Sequence, residues 1–276
     1  MSTNICPRLF HRTVRQLRQF FESELGFVEV PTQSRLSILA ACEDPATIST
    51  FHYESQQWPL PQTGQMWLEY EMLKNPELPG LFCLSTSYRN EPNPVEGRHN
   101  KIFPMFEFEI KGGFEELIDV ETRLLKHLGY SEPYVLKDYQ EVSDQYDVLD
   151  IGHEHEMQLA QEHGPAVLLT NFPRHTSPFW NMKHVGDTAR KVDVILSGQE
   201  TIGSAERSTN PEEMRRDFLT ISDGMYAKTL YNQFGKERVN RELDEFLDLD
   251  FFPRSGGGIG VTRLIRSLQE ENLMEA

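Results

Sequence analysis

The sequence is poor in cysteine: Cys6, Cys42 and Cys83 are the three it has among 276 residues. An odd number without paired spacing builds no disulfide framework and suits a reducing, cytoplasmic setting. Long apolar runs are missing too. None approaches the roughly 20 residues a membrane span needs, so no membrane partner is expected. The opening MSTNICPRLFHRTVRQ carries charge with no apolar stretch behind it and is not read as a secretory signal. Cations are scarce: 27 Lys and Arg stand against 43 Asp and Glu, a net charge of −16. That balance weighs against a long nucleic-acid-binding face, which needs clustered Lys and Arg, but leaves room for a local cationic pocket. There is no internal repeat, low-complexity tract, Gly/Ser linker or P-loop. The glycines at 256, 257, 258 and 260 run G-G-G-I-G near the end of the chain. A dinucleotide fingerprint needs Gly-x-Gly-x-x-Gly early in a βαβ unit, so that reading fails; a tight strand approached by backbone or ligand fits.

What is present suits a soluble globular enzyme: 38% hydrophobic and 25% charged residues in a chain long enough for a full core. Residues 8 to 25 have an apolar face at helical spacing, with Gly26 as C-cap. Residues 27 to 30 read as a short strand that Pro31 marks as an edge or an end. Residues 66 to 74, 114 to 129 and 154 to 163 read as helices, and 210 to 247 as largely helical. Residues 81 to 88 and 103 to 110 alternate and form a hairpin around a charged loop. Strands are expected at 167 to 172 and 192 to 196, and a Gly-rich strand runs into a helix from residue 255. Hairpins and long helical excursions favour an α+β fold with an antiparallel sheet flanked by helices.

The hairpin loop, SYRNEPNPVEGRH, concentrates Arg89, Arg98 and His99 with Glu91 and Glu96 around two prolines. That composition points to a polyanion that also carries hydrogen-bond donors. In VDVILSGQE, Asp193 and Glu200 could both offer oxygens to Mg²⁺, which usually takes one or two carboxylates plus nucleotide phosphates. Arg207, after Gly203 and Ser204, is a carboxylate receptor or a structural ion pair. GHEHEMQLAQEH lacks metal-ligand spacing and reads as a solvated helix face.

Taken together, these segments resemble the catalytic core of class II aminoacyl-tRNA synthetases of the aspartyl/asparaginyl branch, from about residue 8 to 270. LGFVEVPT resembles motif 1, SYRNE with RHNKIFPMFEFE motif 2, and SGGGIGVTRL motif 3. QTGQMWLE, LLTNFPRHTSPFWNMK and VDVILSGQETIGSAER match the branch's pocket segments in order. The resemblance implies one class II catalytic domain over 1–276 without an anticodon-binding domain, and a homodimer through motif 1. It implies ATP as substrate and Mg²⁺ as cofactor. Arg89 would contact the α-phosphate and the reacting carboxylate, and Glu91 the adenine amino group. Arg98 and His99 would reach the outer phosphates, Phe103 would stack on adenine, and Arg263 would hold the γ-phosphate. Gly258 and Gly260 would admit the nucleotide, and Asp193 with Glu200 would hold the metal. Glu43 and Gln65 would take the amino acid's ammonium group, and Arg207 its distal carboxylate or carbonyl.

The sequence departs from the branch in places. Ile102 stands where a glutamate usually precedes the stacking phenylalanine, and Thr262 where an acid precedes the arginine. Aspartyl enzymes carry a lysine where this chain has Leu68 and a shorter acid where it has Glu107, so the pair looks asparaginyl. A free-standing core could instead use Glu107 catalytically, to attract ammonia. That is the arrangement implied by resemblance to archaeal-type asparagine synthetases related to asparaginyl-tRNA synthetase. The expectation is therefore an AMP-forming aspartate–ammonia ligase that does not need tRNA. The alternatives are an aspartyl or asparaginyl adenylate former loading tRNA, a carrier protein or a small amine, and a non-catalytic regulator.

Overall fold

The computed structural model of the chain describes residues 5–32, 36–94 and 100–274. Helix α1 (Pro7–Arg18) begins at a proline, whose missing N–H costs nothing in the first turn. It buries Leu9, Val14 and Leu17, then widens into a π-helical segment, Gln19–Glu24, that buries Phe20 and Phe21. Gly26, at φ +71°, ends it, and β1 (Val28–Glu29) follows at a sheet edge.

A small hairpin of β2 (Thr50–Tyr53) and β3 (Gln56–Pro59) precedes α2 (Gln65–Lys74). Strands β4 (Gly80–Tyr88) and β5 (Ile102–Lys111) then pair from Gly80↔Ile110 to Tyr88↔Ile102. Next come α3 (Phe114–Leu128), β6 (Val135–Asp138), α4 (Tyr139–Tyr146), α5 (His153–His163) and β7 (Ala166–Pro173). The two-residue β8 (His184–Val185) leads to β9 (Thr188–Leu196) and β10 (Gln199–Glu206). Helices α6 (Pro211–Thr220), α7 (Met225–Phe234) and α8 (Lys236–Leu247) precede β11 (Arg254–Gly260) and α9 (Val261–Glu270).

The main sheet runs β1-β4-β5-β11-β10-β9-β7-β6, with β8 on β9. It is antiparallel through its centre, as expected for an α+β fold, and parallel in its outermost pairs, β1–β4 and β6–β7. Parallel neighbours need crossovers, and α4 with α5 supplies one. One face packs on α1, α3 and α9 through residues such as Phe21, Phe82, Phe106, Leu124 and Leu264. A second core joins α2 to α6, α7 and α8 around Trp67, Trp180, Phe218 and Phe246.

Alternation along β5 sets up the site. Phe106, Phe108 and Ile110 enter the first core, so Glu107 and Glu109 face the other side of the sheet, where both are fully buried. The sequence reading did not foresee β2, β3, β6, α4 or the length of β10. QETIGSAE hides its strand character because its site face carries Gly and polar residues in place of β-branched ones. The 210–247 stretch is three helices, broken at Gly224 and Gly235, both at positive φ.

Candidate active site

Over the β5–β11–β10–β9 face lies a cleft with two adjoining chambers. The outer one, about 290 Å³, is bounded by Arg89, Glu91, Phe103, Gly258, Gly260 and Arg263. The inner one, about 170 Å³, is bounded by Gln65, Glu69, Asn181, Lys191 and Arg207. Glu43, Thr63, Gln65, Glu200 and Gly203 border both. Residues scattered from 43 to 263 thus meet, as the sequence reading required.

Arg89 lines the outer chamber and reaches the wall shared with the inner one through Glu43. Just past the end of β4, its backbone N–H donates to the carbonyl of Lys101 (2.8 Å) and pins the neck of the hairpin. Its guanidinium pairs with Glu43 and lies 5.8 Å from the centre of the Phe103 ring. Glu43 is itself held by Gln62: Oε1 accepts from the N–H groups of Glu43 (2.7 Å) and Asp44 (2.8 Å). Nε2 of Gln62 donates to the Asp44 carbonyl and Thr47 Oγ1. Arg98 and His99 lie outside the described residues.

At the far wall, Arg263 in the first turn of α9 donates from Nη1 to the Glu200 carbonyl (2.7 Å) and lies 3.7 Å from its carboxylate. The glycines of β11 divide into two kinds. A Cβ on Gly256 would lie 1.9 Å from Glu109 Oε2 and 2.4 Å from the Phe108 carbonyl, so that glycine makes room for a buried carboxylate. A Cβ on Gly258 would press on Met105 at 2.7 Å, whereas one on Gly260 would meet nothing closer than Arg263 at 3.5 Å. Gly258 and Gly260, the two glycines that the resemblance assigns to the nucleotide, line the outer chamber, and Gly256 does not.

Asp193 on β9 and Glu200 on β10 converge on Gly203. A Cβ there would lie 3.0 Å from Glu200 Oε1 and 3.7 Å from Asp193 Oδ1, so glycine keeps the space between the carboxylates open. Asp193 Oδ1 is buried without a hydrogen-bond partner, while Oδ2 pairs with Lys191 at 2.6 Å. Burial pushes the Asp193 carboxyl up to about 7; Lys191 pulls it back and Glu200 adds to the rise. Among the described residues no group of three or more His, Cys, Asp or Glu could cage a metal. An unsatisfied carboxylate oxygen beside a second carboxylate fits Mg²⁺ that completes its shell with phosphates and water.

The inner chamber is built on a buried ionic network. Arg207 Nη2 donates to Gln65 Oε1 and to Glu109 Oε2 (3.3 Å). Arg254 binds Glu69 Oε2 at 2.7 Å and the Ser208 carbonyl at 3.2 Å, and Asn181 donates to Glu69 Oε1 at 2.6 Å. Glu69, Glu109, Arg254, Asn181 and Lys191 were not foreseen. The Glu107-x-Glu109 spacing was the available signal, since two acids on one strand face beside a glycine strand cannot both be solvated.

Glu107 borders the outer chamber, but its carboxylate is engaged by the protein. It accepts from Thr63 Oγ1 (2.5 Å), the Gly64 N–H (2.8 Å) and Ser85 Oγ. Burial raises its pKa, and those donors oppose the rise. Leu68, its companion in the sequence reading, is packed with Met72, Leu81 and Cys83 and lines neither chamber.

Among the described residues no helix is long and apolar enough to cross a membrane. The chain is 21% identical over 282 residues to an aspartate–tRNA(Asp) ligase from Pyrobaculum aerophilum, covering 92% of this chain and 62% of the relative. The asparaginyl-tRNA synthetase from Pyrococcus horikoshii, solved with asparaginyl-adenylate, superposes with a TM-score of 0.77 at 20% identity, over 95% of this chain and 64% of that one. An aspartyl-tRNA synthetase from Entamoeba histolytica gives 0.69 at 19% identity, over 94% and 54%. These superpositions establish the fold, and the chain spans less than two thirds of each relative. With residues 3–275 matching the family profile from end to end, the chain belongs to the class II tRNA synthetases (D, K and N).

Proposed function

We propose that the protein activates aspartate with ATP, releasing pyrophosphate, and passes the aspartyl group from AMP to ammonia to make asparagine. Arg89 carries this reading. It touches the amino-acid side through Glu43 and the nucleotide side through Phe103, so a carboxylate and an α-phosphate brought into the two chambers meet at its guanidinium. Its planar fork can hold both partners at once, which a lysine could not. An aspartate carboxylate oxygen attacks the α-phosphorus and the bond to pyrophosphate breaks. Ammonia then attacks the acyl carbon, the bond to AMP breaks, and one proton is released. Protein side chains form no covalent bond; positioning and fixed charge supply the rate.

Each remaining residue has a place in that scheme. Phe103 offers its face and Glu91 an acceptor to adenine, and Gly258 and Gly260 leave the floor clear. Arg263 meets the outer phosphates. Asp193 and Glu200 hold Mg²⁺, which when bound neutralises phosphate charge. Glu43 and Gln65 hold the ammonium group, and Arg207 the carboxylate that does not react. Glu107 keeps the Thr63–Gly64 turn at the junction through the hydrogen bonds it accepts, and its raised pKa suits a carboxyl that takes the proton ammonia gives up.

A net charge of −16 supports ammonia over a polyanionic acceptor. The names of the relatives favour a second reading, transfer to tRNA. A homodimer through α1 and β1 belongs to the proposal. The apolar face of α1 is already packed against α9, and Val28 of β1 is an exposed apolar residue at the sheet edge that a partner could cover. Sedimentation as a monomer at micromolar concentration removes that part. For the reaction, the test is ATP, Mg²⁺, aspartate and ammonium without RNA. Asparagine with equimolar AMP is expected; AMP formed with asparagine alone, or only after tRNA is added, replaces this reading with the second.

A further inference from the structure

Lys191 lies on β9 two residues before Asp193, on the same strand face. It is in register with Ala205 as Asp193 is with Gly203. Along β9 and β10 the charged groups therefore run Glu200, Asp193, Lys191, Arg207, from the nucleotide end to the amino-acid end. Lys191 borders the inner chamber, keeps 21% of its side chain exposed, and packs its ammonium 3.7 Å from the Phe172 ring centre.

Its ion pair with Asp193 looks at first like a closed account. Charge counting says otherwise. In the network below, Glu69 and Glu109 answer Arg207 and Arg254, two of each sign. Arg207 thus brings little net charge to an incoming carboxylate. Above it, Lys191 faces two carboxylates, Asp193 and Glu200. When these bind a divalent cation, that cation answers their charge, and Lys191 becomes an uncompensated cation in a confined chamber. Such a group draws an anion strongly.

We propose that Lys191 is the specificity-determining cation of the inner chamber. It holds, beside Arg207, the non-reacting carboxylate of a dicarboxylic amino acid once Asp193 and Glu200 carry a divalent cation. This rests on the adenylate-forming reading above and names its substrate class. It also places on β9 the cation that Leu68, on α2, does not provide.

Calorimetric titration of the full chain with aspartate, its side-chain amide asparagine and its α-amide isoasparagine tests this, with and without Mg²⁺ and a non-hydrolysable ATP analogue. Wild type should bind aspartate more tightly with Mg²⁺ present. Lys191→Met should lose at least about thirtyfold in aspartate affinity under Mg²⁺, the scale for removing one partner of a buried charge pair. Lys191→Arg should restore most of it. Lys191→Gln gives the same reading if the methionine variant melts early, and binding of the ATP analogue controls for the fold. Isoasparagine, which lacks the α-carboxylate, should be indifferent to Lys191→Met. If asparagine is the indifferent amide, the lysine assignment stands and the amidation pose falls. An equal loss for all three ligands, or none, overturns the assignment. So does a variant whose only change is its Mg²⁺ dependence, because Lys191 is then no more than a counter-ion for Asp193.

Discussion

The two chambers of the cleft keep their charges differently. In the outer one, Arg89 is 30% exposed, Arg263 29%, Glu200 38% and Glu43 43%, and the contacts among them are few. In the inner one, Arg207, Arg254, Glu69 and Glu109 are all 5% exposed or less and bound to one another. The outer groups can re-aim when phosphates arrive. The inner groups have lost their hydration on folding and are fixed before any ligand enters. Under the proposed function, affinity for a flexible, highly charged nucleotide would thus be separated from discrimination among small amino acids, which needs a rigid frame.

That contrast is easiest to break at Glu69. Glu69→Ala leaves Arg254 buried with no carboxylate at 2.7 Å and should cost about 3–5 kcal/mol of stability, read by chemical denaturation. Arg89→Ala should act the other way: an unchanged melting curve with at least about 3 kcal/mol lost from transition-state stabilisation, read as pyrophosphate release. Near-normal release would remove Arg89 from the site. Between these lies the glycine strand. Gly256→Ala should destabilise by about 1–3 kcal/mol through its clash with Glu109, whereas Gly260→Ala should be close to neutral for stability.

A further expected effect is on pH dependence. Glu121 on α3 is fully buried, and burial pushes its carboxyl from 4.5 up to about 8, the Ser204 hydroxyl opposing the rise and Asp193 adding to it. The folded state therefore keeps a proton that the unfolded state has lost. Its contribution to stability is whole below pH 4.5 and is lost as pH rises to about 8, at no more than about 1.4 kcal/mol per pH unit. Glu121→Gln should flatten that slope and raise the melting temperature at pH 8 more than at pH 5. Parallel profiles for the two proteins would show that Glu121 finds its charge stabilised after all.

Much of this architecture was legible in the sequence because function forces unusual residues into short stretches. The Arg89 hairpin, the Asp193–Glu200 spacing and the strand of glycines were each readable, and Arg89, Glu200, Gly258 and Gly260 line the outer chamber. The inner chamber was less legible. Glu69 looks like one more helix acid, and Lys191 reads as part of a polar turn before a strand. Only the strand order, which sets β5, β11, β10 and β9 side by side, reveals that Glu109, Arg207 and Arg254 must neutralise one another. Glu107 shows a different limit. Its place on the cleft face was legible and its hydrogen bonds were not, because the hydroxyls of Thr63 and Ser85 that donate to it lie 44 and 22 residues away.

The strands that carry Asp193 and Lys191 also act as a ruler. Side chains on one face of a strand recur about every 7 Å, two residues at roughly 3.4 Å each. A substrate longer by one methylene overshoots Lys191 by far less than that step, and the next position on β9 offers Ala189, not another cation. Under the proposed assignment of Lys191, chain length would be read in steps coarser than one methylene. Glutamate, which satisfies every charge requirement, should fail on distance alone.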